Sequence, residues 1–334
     1  MAAIRRTDSY HFNENPPITM TTPLQNELAA HPMQTWEWGE ARKKLGVRVE
    51  KINTDSDIFQ FTIHPIPNTP YSIGYLPRSV IPTDEVIKKL YDFGKRNNVL
   101  FIKFEPYIKY EEGLKLGALS NKFTVSTHAL FPEWTQILDL KKSEDDLFKN
   151  LKSKTRYNVR LAEKKEVKVQ EQSNEEGYRI FERLYFETCK RQKYRGHTPL
   201  YHRTLWETLQ STQGHILIAY LGTTPLAAYE LLYFKNRIYY LYGGSSLLNK
   251  NVMAPNLLMW EAIKLGKRLG ADEFDMWGSL PPTYSEDHPW AGFTRFKQGY
   301  GTAFTHLSAS YDLVIHPHLY KIYSLAYKIR EKML

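Results

Sequence analysis

Two neighbouring stretches decide the fold: NLLMWEAIKLGKRLGADEFDMWG (Asn256–Gly278) and HPWAGFTRFKQGYG (His288–Gly301). In the first, Leu258, Ala262, Leu265 and Leu269 recur at three- and four-residue steps, the stripe of an amphipathic helix, with Pro255 in its first turn. Gly270 stops that helix and EFDMWG follows as a short strand. In the second, aromatic residues and glycines surround the pair Phe296 and Lys297. A lysine carried into so apolar a segment must be paired or used on a substrate anion.

Working outward, HILIAYL, TPLAAYELLYF and RIYYLYGGSS read as strands, the last two joined by a hairpin at FKNR. Ser143 and Asp146 form a capping box before a long helix, EDDLFKNLKSKTRYNVRLAEKKEV. Leu147, Leu151, Asn158 and Ala162 take one side of it; Lys149, Lys152, Arg156, Arg160 and Lys164 take the other. That basic face is either solvated surface or a track for a polyanion backbone. A second helix, EEGYRIFERLYFETCKRQ, turns Ile180, Leu184 and Tyr185 inward. The order helix, helix, antiparallel strands, helix, strand thus fills residues 144 to 280. A weaker version fills 33 to 106: helix to Gly46, strand at DIFQFTIHPIP, then strand, loop, helix with Val86, Leu90 and Phe93 inward, and strand. Two related α/β domains are expected.

The 334 residues are ample for two domains, and 45 Lys+Arg against 36 Asp+Glu mildly favour a phosphate-bearing partner or an anionic membrane surface. One cysteine, Cys189, excludes a disulfide framework and a thiolate metal cluster. The segment up to Pro23 reads as a polar leader without the apolar run of a secretory signal, and no stretch is long enough to span a membrane. The protein is expected to be cytoplasmic, at most peripheral to the inner face of the membrane. The tail HPHLYKIYSLAYKIREKML reads as an amphipathic helix with Leu319, Ile322, Ala326 and Ile329 on one face. That face is expected to dock on a domain, with a membrane surface as the alternative. The dinucleotide, P-loop, zinc-protease and serine-elbow motifs are missing, and the histidines form no ligand-spaced cluster. Arg191, just past a helix and before QKYRG, presents a fork of donors suited to a phosphate.

The run Asn256–Gly301, with MQTWEWGEARKKLG, FIKFEP, LKSKTRYNVRLAEKKEVKV and FETCKRQKYRG in the same order, resembles the Fem family of peptidoglycan bridge-forming aminoacyltransferases. The resemblance implies two acetyltransferase-like domains side by side, of mixed α/β (α+β) class, and nothing between Val169 and Ser279 offers a coiled-coil arm. The first domain is placed at 24–143 plus 316–334, on the precursor side, and the second at 144–315, with the catalytic lysine and the tRNA side. The implied reaction moves an amino acid from aminoacyl-tRNA to the side-chain amine of a peptidoglycan stem peptide. Its acceptor is a UDP-linked muramyl pentapeptide or lipid II, and a monomer needing no cofactor or metal is expected.

Carried over residue by residue, the family's Phe-Lys pair falls on Phe296 and Lys297, with Lys297 the cation that meets an oxyanion. Its precursor-phosphate arginine falls on Arg191. Its first-domain basic residue falls on Arg42, with Lys43 adjacent. Glu105, in an acid-proline pair at the cleft edge, is the candidate to orient the acceptor amine, and the basic helix face is the candidate tRNA track. The loop NKNVMAPN lacks the glycine-rich form that cradles a coenzyme A pyrophosphate. A coenzyme A-dependent N-acyltransferase and a non-catalytic tRNA-binding protein are the competing readings.

Overall fold

The computed structural model of the chain describes residues 24–112, 123–194 and 196–333; the leader lies outside them. Two sheets carry the architecture. The first joins β1 (Arg48–Asn53), β2 (Ile58–Pro65), β3 (Ser72–Pro77), β4 (Val99–Glu105), β5 (Phe123–Val125) and β13 (Tyr311–Val314) in the order β1-β2-β3-β4-β13-β5. The second joins β6 (Trp134–Asp139), β7 (Val167–Glu171), β8 (Gly214–Leu221), β9 (Thr224–Phe234), β10 (Arg237–Ser245), β11 (Glu273–Ser279) and β12 (Ala303–His306) in the order β12-β6-β11-β10-β9-β8-β7. Each sheet has one parallel pair, β3 with β4 and β10 with β11, among antiparallel neighbours. The expected two-domain α/β design holds.

Helices α1 (Leu24–Leu28), α2 (Trp36–Lys44) and α3 (Asp84–Arg96) belong to the first half. Helix α3 forms for local reasons. The Thr83 hydroxyl caps the Val86 N–H, Asp84 and Glu85 sit in the positive first turn, and Lys95 and Arg96 in the negative last one. It buries Val86, Ile87 and Leu90 against Phe59, Phe61 and Phe104, each burial stabilising by about 1.5–3 kcal/mol, so Val86→Asp would undock it. In the second half, α5 (Ser153–Lys164) and α8 (Ala254–Arg268) cover one sheet face, with Leu258, Ala262 and Leu265 buried as the stripe predicts. Helices α6 (Glu175–Gln192) and α7 (Pro199–Leu209) cover the other. A third apolar cluster joins the halves: Trp38 and Ala41 of α2 pack with Leu205 and Leu209 of α7 and Tyr239 of β10.

Three expectations are corrected, and one segment read without an element acquires one. The helix read as continuous from Glu144 breaks into α4 (Glu144–Asn150) and α5, because Leu151 and Lys152 are extended and the Lys152 N–H donates to the Gly299 carbonyl at 2.9 Å. The HPWAGFTRFKQGYG segment contains a short helix, α9 (Ala291–Gln298). Sheet membership does not follow boundaries at 143/144 and 315/316: β6 pairs with β11 and β12 in the second sheet, and β13 with β4 and β5 in the first. Finally, the tail forms α10 (Pro317–Met333), but it docks through tyrosines. Tyr320 and Tyr323 pack on Phe101, and Tyr327 bonds His128 at 2.7 Å, while Ile322, Ala326 and Ile329 point outward. Tyrosine hydroxyls find partners there, such as Asp312 for Tyr320, that aliphatic side chains cannot use.

Candidate active site

The parallel strands β10 and β11 stay paired over only three positions, Arg237–Tyr239 with Glu273–Asp275. Beyond them β10 follows β9 and β11 follows β6, so the sheet splays open. Asp275, the acid of the D-x-W-G run, sits buried at the head of the splay. Its carboxylate accepts from the Trp277 N–H at 2.7 Å, the Thr135 hydroxyl at 2.5 Å and, from the first half, the Tyr107 hydroxyl at 2.5 Å. Trp277 is held at φ 59°, a left-handed conformation costly for a side chain of its size. This turn leaves the carbonyls of Trp277 and Gly278 facing the Lys297 ammonium, which donates to them at 3.0 and 2.7 Å.

Lys297 comes from the last turn of α9, a helix without a side-chain N-cap. Tertiary contacts hold it instead: Gln136 of β6 donates to the Thr294 carbonyl, and the Thr294 hydroxyl accepts from the Leu280 N–H. The lysine is fully buried and, among the described residues, has no carboxylate at ion-pair distance. Burial therefore holds its pKa well below the usual lysine range, with the charge of Asp275 pulling the other way. Two carbonyls take two of its three N–H groups, and the Phe293 ring centre lies 3.5 Å from Nζ. Phe293 itself is 42% exposed, so a single ring separates this ammonium from solvent.

The glycines of GYG have a steric reason. A Cβ on Gly299 would lie 2.3 Å from the Thr155 hydroxyl, and Gly301 adopts φ 74°. They let the end of α9 press against the α4–α5 break, so the basic helix and the lysine are fastened together. Phe296 lies elsewhere, packing on Tyr300 against the core rather than beside Nζ.

Arg191, at the end of α6, donates to the Ser245 carbonyl at 2.9 Å and the Thr188 hydroxyl at 3.2 Å, and stays partly exposed. Ser245 closes β10, so Arg191 and the carbonyls that hold Lys297 lie toward the C-terminal ends of the two parallel strands. Arg42 lies over the Tyr201 ring at 5.7 Å, across the junction of the halves. Its charge adds to burial in pushing His64 and His197 below the usual histidine pKa. Lys43 points away and pairs with Glu40 at 2.8 Å. Glu105 is buried with its carboxylate taken by Tyr75, Ser310 and the N–H groups of Leu130 and Phe131. Three of these donors converge on Oε1 and one reaches Oε2, so most of the carboxylate is engaged in bracing the cleft edge. Within the basic track, Lys149, Lys152, Arg160 and Lys164 are exposed, Arg160 also lying over Phe148, whereas Arg156 is half-buried and donates to the carbonyls of Lys149 and Leu151.

Sequence reading assigned no role to Asp275, Tyr107, Phe293 or His31. Asp275 was visible within D-x-W-G, and Tyr107 follows directly on Glu105-Pro106. His31 is buried between Tyr107, Tyr239 and Trp277 and is held neutral by burial and then by the nearby Arg78 and Arg237. No linear pattern marks it. Among the described residues no group of His, Cys, Asp and Glu could hold a metal.

The chain is 20% identical to a protein named lipid II:glycine glycyltransferase from Staphylococcus haemolyticus, over 88% of this chain and 91% of that one. It is 21% identical to the protein of that name from Staphylococcus epidermidis, over the same shares. In three dimensions it is similar to the crystal structure of FemX, with a TM-score of 0.82, 17% identity, and coverage of 91% of this chain and 98% of that one. A weaker likeness, TM-score 0.52 and 14% identity over 86% and 93% of the two chains, links it to L-PGS from Bacillus licheniformis. The FemAB family model matches residues 24–224 and 219–328, nearly the whole described chain, and the protein belongs to that family.

Proposed function

We propose that this protein is an aminoacyltransferase that moves an amino acid from aminoacyl-tRNA to an amine on the stem peptide of a peptidoglycan precursor. The observation that carries the reading is Lys297: a lysine with no carboxylate at ion-pair distance among the described residues, fully buried where the second sheet splays, in a FemAB chain. The names of the relatives, lipid II:glycine glycyltransferase, support the acceptor class.

The amine nitrogen attacks the ester carbonyl of the donor, the new C–N bond forms, and the C–O bond to the tRNA ribose breaks. The amine's proton leaves on the ribose oxygen, so no nucleotide hydrolysis is needed. The tetrahedral intermediate carries an oxyanion, and one well-aimed donor in a dry site is worth about 3–4 kcal/mol to its transition state. Displacing the Phe293 ring turns the third N–H of Lys297 toward that oxygen. Desolvation makes the ammonium bind an anion more strongly than it could in water. Arg191 and Arg42, on either side of the junction, hold precursor phosphates, and their distance from the reacting amine makes them orienting groups. The exposed lysines of α4 and α5 track the tRNA backbone.

The decisive experiment supplies a mixed pool of charged tRNAs, with acyl-coenzyme A in a parallel arm, and both nucleotide-linked and lipid-linked precursors. Product mass should rise by one or more amino-acid residues only with charged tRNA. Transfer from acyl-coenzyme A alone, or a tRNA complex that never turns over, would overturn the reading.

A further inference from the structure

We propose that the outward face of α10 is a docking surface for an anionic lipid bilayer. The helix has two faces of opposite use. Tyr320, Tyr323 and Tyr327 point inward and are satisfied by Phe101, Asp312 and His128. On the other side Ile322, Leu325 and Ile329 are 65, 61 and 53% exposed. Their spacing of three and four residues makes one continuous aliphatic stripe of three members along a single helix face.

Charge identifies the occupant. Lys321 and Lys328 are exposed and, by helical spacing, border the stripe along one side. From Pro317 to Ile329 there is no aspartate or glutamate. A second copy of this face would therefore bring no acid to meet those lysines, whereas a lipid surface supplies phosphates at the level of the lysines and acyl chains at the level of the stripe. An aliphatic stripe with a cationic border is the pattern of a helix that lies in a membrane interface. The helix also has a direction. It leaves the Leu100 end of β4, where the His316 N–H donates to the Leu100 carbonyl. It then runs toward the Glu105 end, because Tyr327 reaches His128, whose own carbonyl accepts from Lys103. A bilayer against α10 would lie along the first sheet, on the way to the cleft edge. This inference stands on the helix alone and does not depend on which acceptor the enzyme uses.

Flotation of the full chain with vesicles tests it without any activity measurement. One preparation mixes phosphatidylglycerol with phosphatidylcholine and the other is phosphatidylcholine alone. The protein should float with the anionic vesicles and release in high salt. The double variant Ile322→Asn, Leu325→Asn should lose at least tenfold in binding, as should Lys321→Glu, Lys328→Glu. Both should keep the parent's melting temperature, since the changed side chains touch solvent. Turnover on a soluble acceptor should be unaffected in both. The proposal is overturned if the chain stays unbound, if it floats equally with both vesicle types, or if binding ignores these four positions. It is equally overturned if light scattering shows a dimer that Ile322→Asn, Leu325→Asn dissociates, for then a second copy covers the face.

Discussion

Among the described residues two lysines lie buried, one in each half, and the fold treats them in opposite ways. Lys103 on β4 meets Asp312 at 3.0 Å and also donates to the Ser126 hydroxyl and the His128 carbonyl. Lys297 in α9 has carbonyl dipoles and an aromatic face, but among the described residues no acid at ion-pair distance. A buried charge with a matched partner is a structural element. One left without a partner is held at a cost in stability that the fold bears for another purpose. The contrast separates scaffold from chemistry in a way that burial alone does not.

The largest effect should come from the compensated lysine. Lys103→Met strands the Asp312 charge in the first half and should cost about 3–5 kcal/mol of stability by denaturant titration, with normal turnover per folded molecule. Lys297→Met should do the reverse. It removes an uncompensated charge at the expense of two carbonyl contacts, so the melting temperature should move by only a few degrees. The single-turnover rate should fall by about 10²–10³. A Lys297→Met enzyme with a near-normal chemical step would erase the distinction.

An acid in the second half sharpens the comparison. Glu230 on β9 is fully buried, and neither carboxylate oxygen has a hydrogen-bond partner among the described residues; burial raises its pKa to about 8. Nearby, burial lowers that of His202 to about 4. The raised acid binds more protons in the folded state. Its contribution is therefore complete below about pH 4.5 and is lost as pH rises through 8. The depressed histidine contributes above about pH 6.5 and loses that contribution as pH falls toward 4. The slopes oppose each other between pH 4.5 and 6.5, which leaves Glu230 alone to lower stability from pH 6.5 to 8, by about 2 kcal/mol. Glu230→Gln should flatten that limb of the melting curve. If the limb survives, an unpartnered buried charge does not carry the penalty assigned to Lys297.

The smallest effect belongs to a cation that is only partly buried. Arg191→Ala should raise the precursor KM about tenfold with a lesser change in kcat, because a phosphate remote from the reacting amine contributes mainly uniform binding. Arg191→Lys should restore only part of it, since a point charge cannot reproduce a two-pronged contact. An unchanged KM would move the phosphate elsewhere.

What could be read from the chain itself follows from range. Helices α3 and α8 were legible because their stripes, caps and terminal residues are local. Helix α9 was not, since a segment with Gly292 inside it and no capping side chain is helical only because Gln136 and Leu280 hold it. The break at Leu151–Lys152 contains no glycine or proline; it exists because Gly299 offers a carbonyl from nearly 150 residues away. Strands β6 and β13 are short and each joins the sheet of the other half, which no periodicity announces. At the site, the Phe-Lys pair was visible by composition, whereas the donors gathered on the Glu105 carboxylate and the ring of Phe293 over Nζ are products of packing.

The bond from the Lys152 amide to Gly299 provides a built-in reporter. Its proton sits in the break between two helices of the basic track, yet its acceptor lies two residues beyond Lys297. Deuterium uptake at that one amide records whether the turn carrying the lysine is seated or sprung, with no dye, spin label or substrate analogue attached. Followed while donor or acceptor is titrated in, it would give the order in which the two substrates engage the site.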